Sequence, residues 1–234
     1  MERTIEKTAD GSATLYVPEL EEHYHSIKGA WTESQHVFVD KGLKASGAKR
    51  PSILEVGFGT GLNAWLTLLE AEQSGRAVHY TTLELYPLEL SLIQGMGYTS
   101  DERFTQLHEA PWEQEVTITP HFTLLKHQAD ANAFVRSHLL RPQAGFDVVY
   151  FDAFAPEKQP ELWSQELFNN LSCLLKSGGI LTTYCAKGVV RRMLQAAGLT
   201  TERLPGPPGG KREILRARKL LEVNNDRNLI RTEE

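Results

Sequence analysis

SILEVGFGTGLN, residues 52–63, is the stretch whose reading decides the fold. Its first half, Ser52–Val56, is a short apolar run of the kind that makes a strand buried on both faces. Glycines follow at 57, 59 and 61. Glycine at every second position lets the chain turn sharply and lets its backbone come close to a ligand. From Leu62 the period changes, and Leu62, Trp65, Leu66 and Leu69 fall on one face of a helix running to Gln73. The start of such a helix offers free N–H groups to a ligand. The spacing is not the dinucleotide fingerprint G-x-G-x-x-G, because Leu62 stands where its third glycine belongs. It is not a P-loop either, since no Gly-Lys-Ser/Thr follows.

Outward from this turn, apolar runs alternate with amphipathic stretches. Strands are predicted at Val78–Leu85, Phe122–Lys126, Phe146–Phe151 and Ile180–Tyr184. Helices are predicted over Pro87–Gly95, Ala131–Leu139, Pro160–Leu175, ended by Gly178-Gly179, and Gly188–Ala197. Leu199–Leu204 and Glu213–Arg218 form a closing hairpin around GPPGG. The alternation predicts an α/β fold with a doubly wound, mostly parallel, Rossmann-like sheet. The segment Thr99–Pro120 fits no place in it. Upstream, residues 4–17 alternate around Asp10-Gly11, a hairpin signal. Residues 31–43 read as a short helix followed by a loop, and 44–50 as a hinge closed by Pro51. The expected division is an N-terminal β/α extension over 1–50, the main domain over 51–219 and a polar tail over 220–234.

The composition narrows the class. The 234 residues include 25 basic and 30 acidic ones, for a net charge of −5, with 41% hydrophobic and 24% charged residues. These are ordinary globular values, which exclude a disordered tail, a collagen-like fibre and a coiled-coil rod. The N-terminus, MERTIEKTADG, has no apolar segment, and no run of 18 apolar residues occurs, so neither a secretory signal nor a membrane span is expected. Cys173 and Cys185 stand twelve positions apart without a C-x-x-C, which predicts no zinc site, no disulfide framework and a reducing compartment, the cytoplasm. His23 and His25 are the only close histidine pair and lack a ligand pattern, so no metal is expected.

Glu55-x-Gly57-x-Gly59-x-Gly61 after the first strand resembles motif I of the class I S-adenosylmethionine-dependent methyltransferases. The resemblance implies that Glu55, Gly57, Phe58, Gly59, Gly61 and Asn63 flank the methionine part of that cofactor. It implies that Glu84, at the end of the second strand, holds the two ribose hydroxyls, for which a carboxylate's several acceptor sites are suited. Asp130 falls where the family contacts the adenine; the alternative for it is a helix cap.

The fourth strand ends in Phe151-Asp-Ala-Phe-Ala-Pro156. Ligands of an open α/β sheet bind beyond the carboxyl ends of its strands, which puts Asp152 in the cleft, near where the resemblance places the sulfonium methyl. A carboxylate there can hold an amine by charge-assisted hydrogen bonds. Pro156 stiffens the loop, and Phe154 or Trp163 can stack on a planar base. The alternatives are a loop-capping Asp152 and aromatics that belong to the core. An amine must be neutral to attack, and a nearby carboxylate favours its protonated form. Asp152 is therefore expected to position the amine and to receive a proton late, with much of the rate coming from orientation.

Taken together, Gly57–Asn63, Phe151–Pro156 with Pro160-Glu-Leu-Trp163 and Leu167-Phe168, Val190-Arg-Arg192 and Gly210-Lys-Arg-Glu213 resemble something narrower. With Tyr24-His-Ser26, Gly29, Glu33 and Val37-Phe38, they are similar to the methyltransferase domain of the tRNA wobble-uridine modification enzymes MnmC and MnmD, over residues 20–218. The resemblance implies methylation of 5-aminomethyl-2-thiouridine to 5-methylaminomethyl-2-thiouridine, with tRNA as partner. Bifunctional members carry an FAD-dependent oxidase as well, for which 234 residues leave no room, so methyl transfer alone is expected.

The charge is unevenly spread. Residues 185–219 hold nine basic and two acidic residues, whereas residues 1–184 hold 14 basic and 24 acidic. A basic segment is what an RNA backbone would meet, with Arg191, Arg192, Lys211 and Arg212 as the expected contacts. The alternative is a solvated basic face. Two rival functions stay open: a small-molecule amine transferase such as an aminopropyltransferase, and a non-catalytic module built on the cofactor pocket. The basic segment speaks against the first, and the intact glycine turn with Asp152 against the second.

Overall fold

In the computed structural model, which describes residues 2–140 and 145–221, the chain opens with three short antiparallel strands, β1 (Thr4–Lys7), β2 (Ala13–Val17) and β3 (Glu22–His23). Asp10 makes the turn between the first two. Its Oδ1 accepts from the Thr8 hydroxyl at 2.7 Å and from the Ser12 amide at 3.1 Å. Its Oδ2 accepts from the Thr32 amide at 2.9 Å, which ties the hairpin to α1 (Ala30–Ser34). Gln35–Leu43 then continues as a wider π-helix where the sequence predicts a loop, because Val37, Phe38, Val39 and Leu43 all find buried places.

The rest of the described chain is β4 (Ser52–Val56), α2 (Leu62–Ser74), β5 (Val78–Leu83), α3 (Leu90–Met96), α4 (Glu102–Glu109), β6 (Glu115–Thr119), β7 (Phe122–His127), α5 (Ala131–Leu139), β8 (Phe146–Phe151), α6 (Gln165–Leu174), β9 (Leu175–Thr183), α7 (Gly188–Ala196), β10 (Leu199–Pro205) and β11 (Glu213–Lys219). These strands form one sheet in the order β10-β11-β9-β8-β4-β5-β7-β6. The central β9, β8, β4, β5 and β7 pair in parallel, while β6, β10 and β11 are antiparallel additions at the edges. From β4 the chain steps outward to β5 and β7, then returns to β8 on the other side. The order reverses between β4 and β8, and an open α/β sheet takes its ligand at such a switch point.

Side chains alternate across the sheet, so each central strand feeds two cores. Ile53, Val148 and Tyr150 pack on one face with Phe38, Leu62 and Trp65. Leu54, Val56, Val149 and Phe151 pack on the other with Phe134, Phe168 and Leu194. Each large apolar side chain buried in this way stabilises by about 1.5–3 kcal/mol. Burial on both faces is why these strands read as continuous apolar runs.

Three further segments depart from expectation. The predicted helix Pro160–Leu175 is split: a 3-10 turn covers Pro160–Leu162, and Ser164 starts α6 afresh by accepting the Leu167 amide on its hydroxyl at 3.1 Å. Gly178-Gly179 does not stop the helix. It lies inside β9, where the pairing with β8 slips in register and a Cβ on Gly179 would sit 2.8 Å from the Lys176 carbonyl. Within 99–120, the unassigned stretch contains α4, capped by Asp101 and burying Phe104 and Leu107, and the edge strand β6. Of the polar tail expected over 220–234, residues 222–234 lie outside the described residues.

Candidate active site

The carboxyl ends of β4, β5 and β8 open into a cavity of about 500 Å³. Its floor is the glycine turn. Gly57 has φ +95°, and a Cβ there would stand 2.4 Å from the Asp152 carbonyl oxygen, so the turn and the Asp152 loop pack backbone to backbone. The amides of Gly57 and Phe58 both donate to the Leu83 carbonyl, at 3.0 and 3.1 Å. At Gly61, φ is +72° and a Cβ would stand 2.6 Å from His108 Nε2. Gly61 therefore makes room for the protein's own histidine and does not line the cavity.

Glu84 leaves β5 at the cavity wall. Its Oε2 accepts from the Gly59 amide and its Oε1 from the Tyr86 amide, both at 2.9 Å. A carboxylate offers about four acceptor sites, so two remain for a ligand. Asp130 caps α5 by accepting the Ala133 amide at 2.9 Å, and it also lines the cavity.

Asp152 is half-buried on the wall, and its Oδ2 accepts from Asn63 Nδ2 at 2.8 Å. Enclosure pushes its carboxyl up to about 7; the Asn63 hydrogen bond opposes this, the Glu33 charge adds to it and the Lys211 charge opposes it. Asn63 thus acts on Asp152 and is not itself a cavity residue. Glu55 also moves from its expected role. It is fully buried beneath the turn, accepts the Thr82 hydroxyl on Oε2 at 2.6 Å, and is pushed up to about 8 by that burial. It cannot touch a ligand in the cavity.

The roof comes from the N-terminal extension. His25 Nε2 meets the Thr60 hydroxyl at 2.7 Å, and burial holds this imidazole down at about 4, so it is neutral at pH 7. Tyr24 packs edge-on against Phe154 with ring centroids 5.0 Å apart, and both line the cavity. Trp163 does not join them. It is buried in the core against Phe151 and Phe168, and its Nε1 donates to the Phe154 carbonyl at 2.7 Å. Pro156 is half-buried outside the lining. Tyr184 and Glu33 do line it, and sequence reasoning assigned neither a role; Glu33 stood only among the residues that carry the family resemblance.

The basic segment is largely neutralised by the fold. Lys187 pairs with Glu157, Arg203 with Glu213, and Arg216 and Arg218 both with Glu202. Lys219 Nζ donates to the Ser172 and Leu175 carbonyls at 3.0 and 2.8 Å. Lys211 lies on the cavity lining, with Nζ 2.6 Å from Glu33 Oε1. Arg191, Arg192 and Arg212 form no ion pair with a described residue and lie outside the lining. Among the described residues, no helix is long and apolar enough to cross a membrane and no group of three or more His, Cys, Asp or Glu could hold a metal ion.

Residues 103–220, just over half the chain, match the family model described as S-adenosyl-L-methionine-dependent methyltransferase. The chain is 33% identical over 236 residues to the tRNA 5-methylaminomethyl-2-thiouridine biosynthesis bifunctional protein MnmC of Cupriavidus metallidurans, a match covering 91% of this chain and 34% of that protein. It is 32% identical to the protein of the same name from Pseudomonas fluorescens, over 82% of this chain and 31% of that one. The chain thus spans about a third of the length of these curated relatives. The crystal structure of MNMC2 from Aquifex aeolicus superposes with a TM-score of 0.74 at 25% identity, covering 96% of this chain and 74% of that one. Spermidine synthase from Thermotoga maritima shares the fold, with a TM-score of 0.56 at 15% identity over 95% of this chain and 73% of that one. With the glycine turn, the three strand-end carboxylates and the switch-point cavity in place, the chain belongs to the S-adenosyl-L-methionine-dependent methyltransferases.

Proposed function

We propose that the chain methylates the primary amine of 5-aminomethyl-2-thiouridine at the tRNA wobble position, giving 5-methylaminomethyl-2-thiouridine, in the cytoplasm. The observation that carries this reading is Asp152: a carboxylate at the end of β8, on the cavity wall, held by Asn63 and poised at about 7. It suits an amine acceptor, because it can hold the amine by hydrogen bond and take up a proton at neutral pH. The curated relatives' names carry the same nucleoside.

The lining fits S-adenosylmethionine. Glu84 keeps acceptor sites for a ribose diol, Asp130 is on the same lining and is the residue the family resemblance assigns to the adenine, and the carboxylates suit a cationic ligand. When bound, this group would supply an electrophilic methyl to the amine's lone pair, with the C–S electron pair left on sulfur and one proton lost from the nitrogen. The chain's own residues do the rest. Asn63 orients Asp152, and Asp152 holds the amine in line and accepts the departing proton. Tyr24 and Phe154, packed edge-on, keep water from the acceptor end, and Phe58 lines the same cavity.

A second reading, transfer to a small soluble amine, is favoured by the internal pairing of most of the basic segment. One experiment separates the two. The protein, S-adenosylmethionine and hypomodified tRNA are incubated, and the tRNA is digested for nucleoside mass spectrometry. Appearance of 5-methylaminomethyl-2-thiouridine supports the tRNA reading; 5-aminomethyl-2-thiouridine left unmethylated at the end rejects it.

A further inference from the structure

The Lys211 ammonium sits where two features that stabilise a cation meet. Glu33 Oε1 is 2.6 Å away, and the centroid of the Tyr184 ring is 4.4 Å away. Glu33, Tyr184 and Asp152 all line the same cavity.

The two receptors are fixed independently of the lysine. The Glu33 side chain is only 8% exposed, and its second oxygen accepts the Ser26 amide at 2.9 Å. The Tyr184 hydroxyl donates to the Ala153 carbonyl at 2.9 Å, which holds the ring beside the Asp152 loop. Lys211 is the opposite. It comes from the turn between β10 and β11, its side chain is 39% exposed, and four methylenes separate its charge from the backbone. The receptors are rigid and the cation is movable.

We propose that Glu33 and Tyr184 form the ammonium-binding site for the acceptor's aminomethyl group, and that Lys211 is an exchangeable surrogate which this ammonium displaces. This rests on the reading above that the acceptor is an aminomethylated pyrimidine of RNA. Exchange of one ammonium for another keeps Glu33 paired throughout, which avoids the large cost of an unpaired buried charge. A pyrimidine without the aminomethyl group brings no cation and cannot displace Lys211, so the pair discriminates on the feature that chemistry needs. The released lysine carries its charge toward the rim, where an RNA phosphate can take it. Methyl transfer itself stays at Asp152, where the ammonium must first give up a proton to free its lone pair.

The test is equilibrium binding of two tRNAs to the full chain without S-adenosylmethionine. They are identical except that one carries 5-aminomethyl-2-thiouridine and the other 2-thiouridine at the wobble position. Wild type is expected to prefer the aminomethyl tRNA by about tenfold, equivalent to about 1.4 kcal/mol. Glu33→Gln should bind both equally. Lys211→Met should keep or widen the preference, because the competitor is gone. Thermal unfolding checks each variant, and Tyr184→Leu, with a preference reduced several-fold, serves if Glu33→Gln does not fold. A preference that survives Glu33→Gln, is missing in wild type, or falls as far in Lys211→Met as in Glu33→Gln overturns the inference; the last outcome makes the pair a strut. Methyl transfer by wild type to the aminomethyl tRNA is measured alongside. Its failure rejects the proposed function, whereas transfer together with an unaltered preference in Glu33→Gln rejects the ammonium site alone.

Discussion

At one end of the cavity Glu84 is held by the amides of Gly59 and Tyr86, 25 and 2 residues away along the chain. At the other end Glu33 meets Lys211, 178 residues away. The first end is made by strand termini of a single sheet, and both holding groups are backbone amides. The second is assembled from an N-terminal helix, a C-terminal hairpin turn and the loop after β9, and a side-chain ion pair joins the backbone contacts there. The difference matches the roles proposed above for the two ends. A cofactor that is the same in every turnover suits a wall of backbone, while an acceptor that must be told apart from its unmodified form suits charges that can change partner.

The largest expected effect breaks the acceptor end. Asp152→Ala should lower kcat by about 10²–10⁴-fold, the range for a lost proton-transfer group, while calorimetric affinity for S-adenosylmethionine stays close to wild type. In wild type, kcat/KM should rise with pH through about 7, because Asp152 must be ionised to accept a proton and the amine must be neutral to attack. A flat profile from pH 6 to 8 would show that Asp152 is not the acceptor. Next comes the cofactor end. Glu84→Ala removes the acceptor sites proposed for the ribose diol and frees the Gly59 and Tyr86 amides. At about 1.5–3 kcal/mol for a hydrogen bond to a charged group, affinity for S-adenosylmethionine should drop at least about tenfold. With saturating S-adenosylmethionine kcat should recover most of its value, in contrast to Asp152→Ala.

A smaller effect is expected outside the cavity. Arg191 and Arg192 pair with no described carboxylate, so reversing both to Glu should weaken tRNA binding and lower its salt slope by about 1 for each phosphate no longer neutralised. An unchanged slope would move the RNA-binding face elsewhere. The last effect concerns stability and leaves catalysis and binding aside. Glu55 is pushed up to about 8 from 4.5, so between those values the folded chain holds a proton that the unfolded chain has released. Stability therefore falls as pH rises across that window, by at most about 1.4 kcal/mol per pH unit for one proton. Glu55→Gln should flatten the decline of Tm between pH 5 and pH 8; an unaltered decline would assign it to other groups.

The two ends were not equally open to reading from sequence. The end of an apolar run places Asp152, and the family resemblance places Glu84 and Asp130; all three line the cavity, beyond the strand ends where an open α/β sheet takes its ligands. Motif position misled at Glu55 and Gly61. Both stand in the expected pattern, yet one supports the turn from below and the other makes room for His108. Trp163 shows a different limit: an aromatic residue beside the Asp152 loop has the same local sequence whether it stacks on a base or closes a core, and here burial decides. Glu33 and Tyr184 had no local signal of function. Their partnership with Lys211 depends on how the chain's two ends converge over the sheet. The stretch 99–120 was missed because its helix buries little beyond Phe104 and Leu107, and its strand joins the sheet antiparallel at an edge.

The bond from His25 to Thr60 has a consequence for anyone who treats the chain as interchangeable parts. A transplant of the sheet without residues 1–50 would take His25 from the Thr60 hydroxyl of the glycine turn and strip Leu15, Val37 and Phe38 from one face of the core. The smallest unit that can be moved between relatives with its ligand preferences intact begins with the hairpin, and any chimaera should be spliced upstream of it.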